Sequence, residues 1–257
     1  LKSENRPLLS IIIPAHNEER RLPLSLTKIH AFLAKQDYDA EVIVVENGSS
    51  DRTTQVVETF ADEHPYVRLI QAQTRGKGLA VKQGMLAARG EYRFMCDADL
   101  SMPIEELAKF MPPQLEGYDV VIGSREADGS RRVNEPEYRH RIGRLSNFLV
   151  KLLALRGYED TQCGFKLFTR EAAEDLFSVQ RTNGIGFDVE LIFLADKRGY
   201  KVYEMPITWY FDPESKMHLV KDSLKMIVEL WEIRQNWRKG IYEQQPTTTN
   251  TAATSER

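Results

Sequence analysis

Cysteine is almost missing from this 257-residue chain, which has only Cys96 and Cys163. Two thiols this far apart exclude a disulfide scaffold and a cysteine-built zinc site, and they suit a reducing compartment. Long apolar runs are missing too. Nothing approaches the roughly 18 uninterrupted apolar residues of a membrane span, and the opening residues are polar, unlike a secretory leader, so the chain reads as soluble. Its first residue is Leu rather than Met, so an anchor upstream is left open. Neither sign of charge dominates: Lys and Arg total 35 against 38 Asp and Glu, a net charge of −3. No global basic field marks a nucleic-acid partner, and any anion binding falls to local clusters.

What is present is alternation. Short β-branched runs at Leu9-Pro14, Glu41-Glu46, Val67-Gln71, Tyr92-Cys96 and Val120-Gly123 read as strands. Helical patterns fall between them near Glu18-Ala34, Thr53-Ala61, Gly78-Ala88 and Ile104-Pro112. This predicts an α/β fold built from βαβ units around a mostly parallel, Rossmann-like central sheet flanked by helices, in a single domain. Glu126-Arg144 is polar and rich in Arg and reads as a long mobile loop. Beyond it come an apolar helix (Leu145-Leu155), a strand (Phe165-Phe168), helices near Arg170-Phe177 and Asp188-Arg198, a strand at Lys201-Pro206 and an amphipathic helix at Leu219-Trp237. The domain is expected over residues 1–240. The tail, 241–257, has almost nothing to bury from Gln244 onward and reads as disordered.

Ligands of such sheets bind beyond the carboxyl ends of the strands, and four polar segments are expected there. Asp97-Ala98-Asp99 follows the fourth strand, and two carboxylates at i and i+2 suit a hard cation such as Mg²⁺ or Mn²⁺. Taken alone, the triplet reads more readily as a helix cap or solvated turn. Pro14-Ala15-His16-Asn17-Glu18 ends the first strand, where Asn17 or Glu18 serves either as a cap or as a contact to a base and ribose. Glu46-Asn47-Gly48-Ser49-Ser50-Asp51 ends the second, with Asp51 suited to cap the next helix. Arg75-Gly76-Lys77-Gly78 places Lys77 and Gly78 at a helix amino end, a site for phosphate oxygens.

In this order and spacing, the four segments resemble the family 2 inverting glycosyltransferases of the GT-A fold. Asp160-Thr161-Gln162-Cys163-Gly164-Phe165-Lys166, Gly186-Phe187-Asp188-Val189-Glu190, and Trp209 ahead of Ser215-Lys216 resemble the dolichyl-phosphate β-glucosyltransferases and their prokaryotic polyprenyl-phosphate relatives. The likeness spans roughly residues 9–238. It implies a nucleotide-binding half over about 8–125 and an acceptor half over about 126–240. It also implies that Pro14, Ala15, His16, Asn17, Glu18, Glu46, Asp51, Lys77, Gly78, Asp97, Ala98, Asp99 and Lys216 line the donor site. Asp97 and Asp99 would hold the metal, while Ser101 stands where the mannosyl relatives carry a metal-binding Gln. Tyr210 replaces an Arg of those relatives, against a strict mannosyltransferase.

The implied reaction moves glucose from UDP-glucose to dolichyl or polyprenyl phosphate, at the cytosolic face of a membrane to which the enzyme attaches peripherally. GDP-mannose as donor and a soluble hydroxyl acceptor are the alternatives. A lipid phosphate is already anionic and needs cations, not a base. Arg125 is the leading residue for it, with Arg131, Arg132, Arg139, Arg141 and Arg144 as a collective cluster whose alternative is a solvated charge run. Asp160 and Asp188 are the catalytic-base candidates for a hydroxyl acceptor; Asp188 equally suits a cap of its own helix and Glu190 a pair with a nearby Lys or Arg. Cys163, without a neighbouring His, reads as a buried structural thiol. Trp231 is expected in the core, while Trp237 is left between core and membrane interface. A non-catalytic binding module and a nucleotidyltransferase remain as other classes, the latter disfavoured by the glycine-poor turn after strand one.

Overall fold

The computed structural model describes residues 6–72, 74–137, 157–213 and 219–243. Seven strands form one sheet: β1 (Leu9–Ala15), β2 (Ala40–Glu46), β3 (Val67–Gln71), β4 (Tyr92–Met95), β5 (Val120–Ser124), β7 (Lys166–Thr169) and β8 (Val202–Pro206), in the order β3-β2-β1-β4-β7-β5-β8. All neighbours run parallel except β7, which is antiparallel to both β4 and β5. The order reverses between β1 and β4, which places the ligand crevice beyond their carboxyl ends.

Alternation along the central strands builds two cores. Ile12, Ile43 and Val45 point to one face, against α3 (Lys77–Ala87), α4 (Arg170–Val179), α5 (Phe187–Arg198) and α6 (Leu219–Arg238). Ile11, Ile13, Val42 and Val44 point to the other, against α1 (Leu22–Leu33), α2 (Thr53–Glu63) and a 3₁₀ helix at Ile104–Lys109. Both faces are covered, which is why these strands read as continuous apolar runs.

Several expectations change. Helix α1 starts at Leu22 rather than Glu18 because Pro23, which has no N–H to donate, sits in its first turn. The expected loop at 126–144 contains strand β6 (Arg131–Val133), which pairs in parallel with β9 (Thr208–Tyr210) in a second, two-stranded sheet. Three residues are too few to show periodicity, and each strand's partner is remote in sequence. Trp231 is exposed at 64%. Trp237 instead packs on the core, edge to face with Phe193. Packing also runs past residue 240: Tyr242 is buried and donates its hydroxyl to Glu190 at 2.6 Å. The expected helix Leu145-Leu155 and the tail from Gln244 lie outside the described residues. Among those described, no helix is long and apolar enough to cross a membrane.

Candidate active site

The turns after β1 and β2 close on each other. His16 Nδ1 lies 3.0 Å from the Asn47 carbonyl, and the Asn17 amide donates to Ser49 Oγ at 3.0 Å. Asn17 adopts φ 55°, a left-handed conformation that Asn tolerates, and its Oδ1 accepts from the Ser50 amide at 2.8 Å. Pro14 and Ala15 belong to β1 itself, in register with Val45 and Glu46. The Glu46 carboxylate is buried and accepts from the Ser49 amide. Asp51 accepts from the Thr53 and Glu19 amides at 3.0 and 3.1 Å; it stands one residue before the N-cap, Arg52, and bonds the first amide of the helix from there.

Glycine-lined contacts set the next layer. A Cβ on Gly78 would meet the Thr182 carbonyl at 2.7 Å, and one on Gly76 the Asn183 carbonyl at 2.6 Å. These glycines admit the 182–184 backbone. The Gly78 amide donates to the Asn183 carbonyl at 3.0 Å, so it is engaged within the protein rather than open to a phosphate. Lys77 reaches the other way, with Nζ 2.7 Å from Asp97 Oδ1.

Asp97 and Asp99 stand together at the carboxyl end of β4. The Ala98 carbonyl between them accepts from Ser25 Oγ of α1 at 2.7 Å, and Leu100 is held at φ 45°, an unfavourable value for a branched side chain. The Asp97 carboxylate lies against Gly164, where a Cβ would come within 2.1 Å of Oδ2. Burial alone raises the Asp97 pKa, but Lys77, with Lys166 and Arg125 behind it, outweighs that and holds it below its ordinary value. Asp99 goes the other way: burial and the Asp97 charge raise its pKa more than Ser101 and Arg21 lower it. The Ser101 amide donates to Asp99 Oδ1 at 2.9 Å and its side chain hydrogen-bonds the same carboxylate, so Ser101 braces Asp99. Arg21 is 4.0 Å from Asp99 and is already bound to both Glu18 oxygens at 2.7 Å and to Asp212 at 2.7 Å.

Neither candidate base is open. Asp160 is fully buried and accepts from Arg125 Nε at 2.6 Å, Arg125 Nη2 at 2.9 Å and the Arg125 amide at 3.1 Å. Burial opposes its charge, but these bonds win and bring its pKa down to about 2. Asp188 lies inside the first turn of α5, where it caps nothing; it pairs at 2.5 Å with Lys166 Nζ, which also reaches the Cys163 carbonyl. Burial, then the Asp97 charge, hold the Asp188 pKa above its ordinary value despite Lys166 and Lys77. Glu190 accepts from the Arg181 and Thr182 amides, not from a surface cation. Cys163 is buried, which pushes its thiol up to about 12, too high for a thiolate nucleophile.

Arg125 leaves β5 at the crevice, where its Nη1 has no protein partner among the described residues. Arg132, part of the expected cationic cluster, is tied to Glu126, Glu135 and the Arg125 carbonyl. Arg139, Arg141, Arg144 and Lys216 lie outside the described residues. Arg21, Ser25, Gly164 and Lys166 went unpredicted because each acts through a partner remote in sequence; Arg21 and Asp212 are 191 positions apart.

Residues 10–177 match the model of glycosyl transferase family 2. The chain is 36% identical over 245 residues to a dolichyl-phosphate β-glucosyltransferase of Trichomonas vaginalis, covering 91% of this chain and 72% of the relative. It is 36% identical over 255 residues to the Saccharomyces cerevisiae dolichyl-phosphate β-glucosyltransferase, covering 91% and 76%, and 32% identical over 254 residues to that of Homo sapiens, covering 93% and 78%. Glucosyl-3-phosphoglycerate synthase from Mycobacterium tuberculosis, crystallised with UDP, shares the fold at TM-score 0.64 and 19% identity over 88% of this chain and 80% of that one. The same synthase with Mn²⁺, UDP-glucose and phosphoglyceric acid superposes at TM-score 0.65 and 19% identity over 88% and 79%. The chain therefore belongs to glycosyl transferase family 2, as a GT-A-like hexosyltransferase homologous to the dolichyl-phosphate β-glucosyltransferases.

Proposed function

We propose that this enzyme transfers glucose from UDP-glucose to a dolichyl or polyprenyl phosphate with inversion, at the cytosolic face of a membrane to which it binds peripherally. The observation that carries the reading of the acceptor is the occupation of both candidate bases: Asp160 is clasped by Arg125 and Asp188 by Lys166. A hydroxyl acceptor needs a carboxylate free to take its proton, whereas a phosphate monoester arrives as an anion. The relatives named for dolichyl phosphate support the same acceptor, and the UDP-glucose complex of the synthase supports the donor.

The Asp97 and Asp99 carboxylates fit a divalent cation. They are hard oxygen donors, Gly164 leaves a cradle beneath Asp97 that a side chain would fill, and the raised Asp99 pKa marks negative charge without a full counter-ion. Among the described residues, no group of three or more His, Cys, Asp or Glu is placed to hold a metal; Asp97 and Asp99 would be its protein ligands. Bound Mg²⁺ or Mn²⁺ supplies neutralisation of the charge that develops on the departing diphosphate. Ser101 keeps Asp99 oriented, and Lys77, now paired with Asp97, would take the donor phosphate. The turns at 14–18 and 46–51 frame the nucleoside. Arg125, whose Nη1 has no protein partner among the described residues, binds the acceptor phosphate, and Arg139, Arg141, Arg144 and Lys216 keep the anion-binding roles that the family likeness implies.

The test is a panel of UDP- and GDP-sugars offered with polyprenyl phosphate and with soluble phosphorylated acceptors, read by the mass of each product. Hexose on the lipid phosphate from UDP-glucose alone supports the reading. Transfer only to a soluble hydroxyl, or only from GDP-mannose, replaces it.

A further inference from the structure

We infer that Trp209, braced by Arg132, is a positioning residue that fixes the reach of Arg125 toward the acceptor phosphate; this rests on the acceptor reading above. The two-stranded sheet sets up the arrangement. Arg132 on β6 is the register partner of Trp209 on β9. The guanidinium carbons of both Arg125 and Arg132 lie over the Trp209 ring, each 5.7 Å from its centroid. Arg132 Nε donates to the Arg125 carbonyl at 3.2 Å, and its remaining nitrogens are held by Glu126 and Glu135. Arg125 is thus fixed on three sides: Asp160 takes Nε and Nη2, the Trp209 ring lies under the guanidinium carbon, and Arg132 holds the main chain. Nη1, without a partner among the described residues, is the edge that a phosphate oxygen can take.

The strand carrying Trp209 also spans the crevice. Just before it, the Ile207 amide donates to the Ser124 carbonyl at 3.2 Å, next to Arg125. At its far end the Tyr210 amide donates to the Ser101 carbonyl at 2.8 Å, two residues past Asp99. One short strand therefore sets the spacing between the arginine and the acidic pair. Clustering two guanidiniums with three carboxylates is a poor way to gain stability alone, because desolvation offsets much of the attraction, while it does fix geometry. A guanidinium on an indole keeps its charge and loses its freedom to swing. That combination suits an arginine that must meet a phosphate at a set distance from the donor.

The experiment measures KM and kcat for a short-chain prenyl phosphate, and Kd for UDP with Mn²⁺, in Trp209→Ala, Trp209→Phe, Arg132→Met and Arg125→Gln. Trp209→Ala and Arg132→Met are expected to raise the acceptor KM by about tenfold, the scale of one partly desolvated cation–π contact, with Kd for UDP within twofold. Trp209→Phe, which keeps an aromatic face, restores most of the loss. If Arg125→Gln raises the acceptor KM while Trp209→Ala and Arg132→Met do not, the positioning role fails and the acceptor reading stands. If Arg125→Gln leaves that KM unchanged, both fall. Equal losses in UDP affinity and acceptor KM, or a Phe variant as impaired as Ala, mean Trp209 only supports the fold and overturn the inference. Should Trp209→Ala not fold, Arg132→Met and Trp209→Phe decide the same question.

Discussion

Asp99 hydrogen-bonds Ser101 and faces, 4.0 Å away, a guanidinium already held by Glu18 and Asp212. A carboxylate left this way beside Asp97 opposes the fold in the metal-free state, which fits the proposed metal-holding role better than a role in stability. Asp99→Asn is expected to abolish transfer while leaving thermal stability unchanged or about 1 kcal/mol higher, which calorimetry of the metal-free protein checks; a large loss of stability assigns Asp99 a structural role instead. Asp160 is the opposite case. Its folded-state pKa of about 2 lies below the ordinary 3.8, so its pairing with Arg125 stabilises the fold above that ordinary value. The contribution is lost as pH falls from about 4 toward 2. Asp160→Asn leaves Arg125 without its counter-charge and is expected to cost about 3 kcal/mol at neutral pH, with the gap to wild type closing in acid. A gap that persists at pH 2 contradicts this. The acidic pair was legible because both members lie two positions apart at one strand end. The occupation of Asp160 was not, since Arg125 is 35 positions away and nothing local announces the contact.

At the scale of elements, strands and helices with strong periodicity fell within a few residues of expectation: β3 spans Val67–Gln71 as read, and β1 and β2 extend by one residue. Periodicity failed where packing is decided by a remote partner. On α6, Trp231 and Trp237 stand six positions apart; the pattern points Trp231 to the core and leaves Trp237 open, whereas the structure exposes Trp231 and packs Trp237 against Phe193. Trp237→Ala is expected to cost about 3 kcal/mol and Trp231→Ala less than about 0.5 kcal/mol in denaturant unfolding; comparable losses contradict this placement. Helix α3 supplies a sharper test of close packing. A Cβ on Gly84 would lie 2.5 Å from Ile12 Cγ2 and 2.9 Å from Val45 Cγ2. Gly84→Ala is therefore expected to destabilise by about 1–3 kcal/mol through overpacking, although Ala favours helix. A stabilised variant contradicts it.

For the whole molecule, the sheet order carries the design. Reversal of the strand order between the parallel strands β1 and β4 opens a crevice, and the chain brings to it the β4 acidic pair, Lys77 from the start of α3 and Arg125 from the end of β5. Fold and family followed from the order of motifs along the sequence, because each motif sits at the end of a strand whose pattern is strong. The wiring among them did not, because it depends on buried ion pairs between remote segments. Cation dependence is the proposal that ties the parts together: a divalent ion beside Asp97 and Asp99 would neutralise the charge that develops as the donor departs. The most direct test is transfer of hexose from UDP-glucose to polyprenyl phosphate by the chelator-stripped protein, measured as lipid-product mass while Mn²⁺ or Mg²⁺ is added back. The account predicts no product without metal, recovery on addition in the wild type and none in Asp99→Ala; near-normal turnover in excess chelator would contradict it.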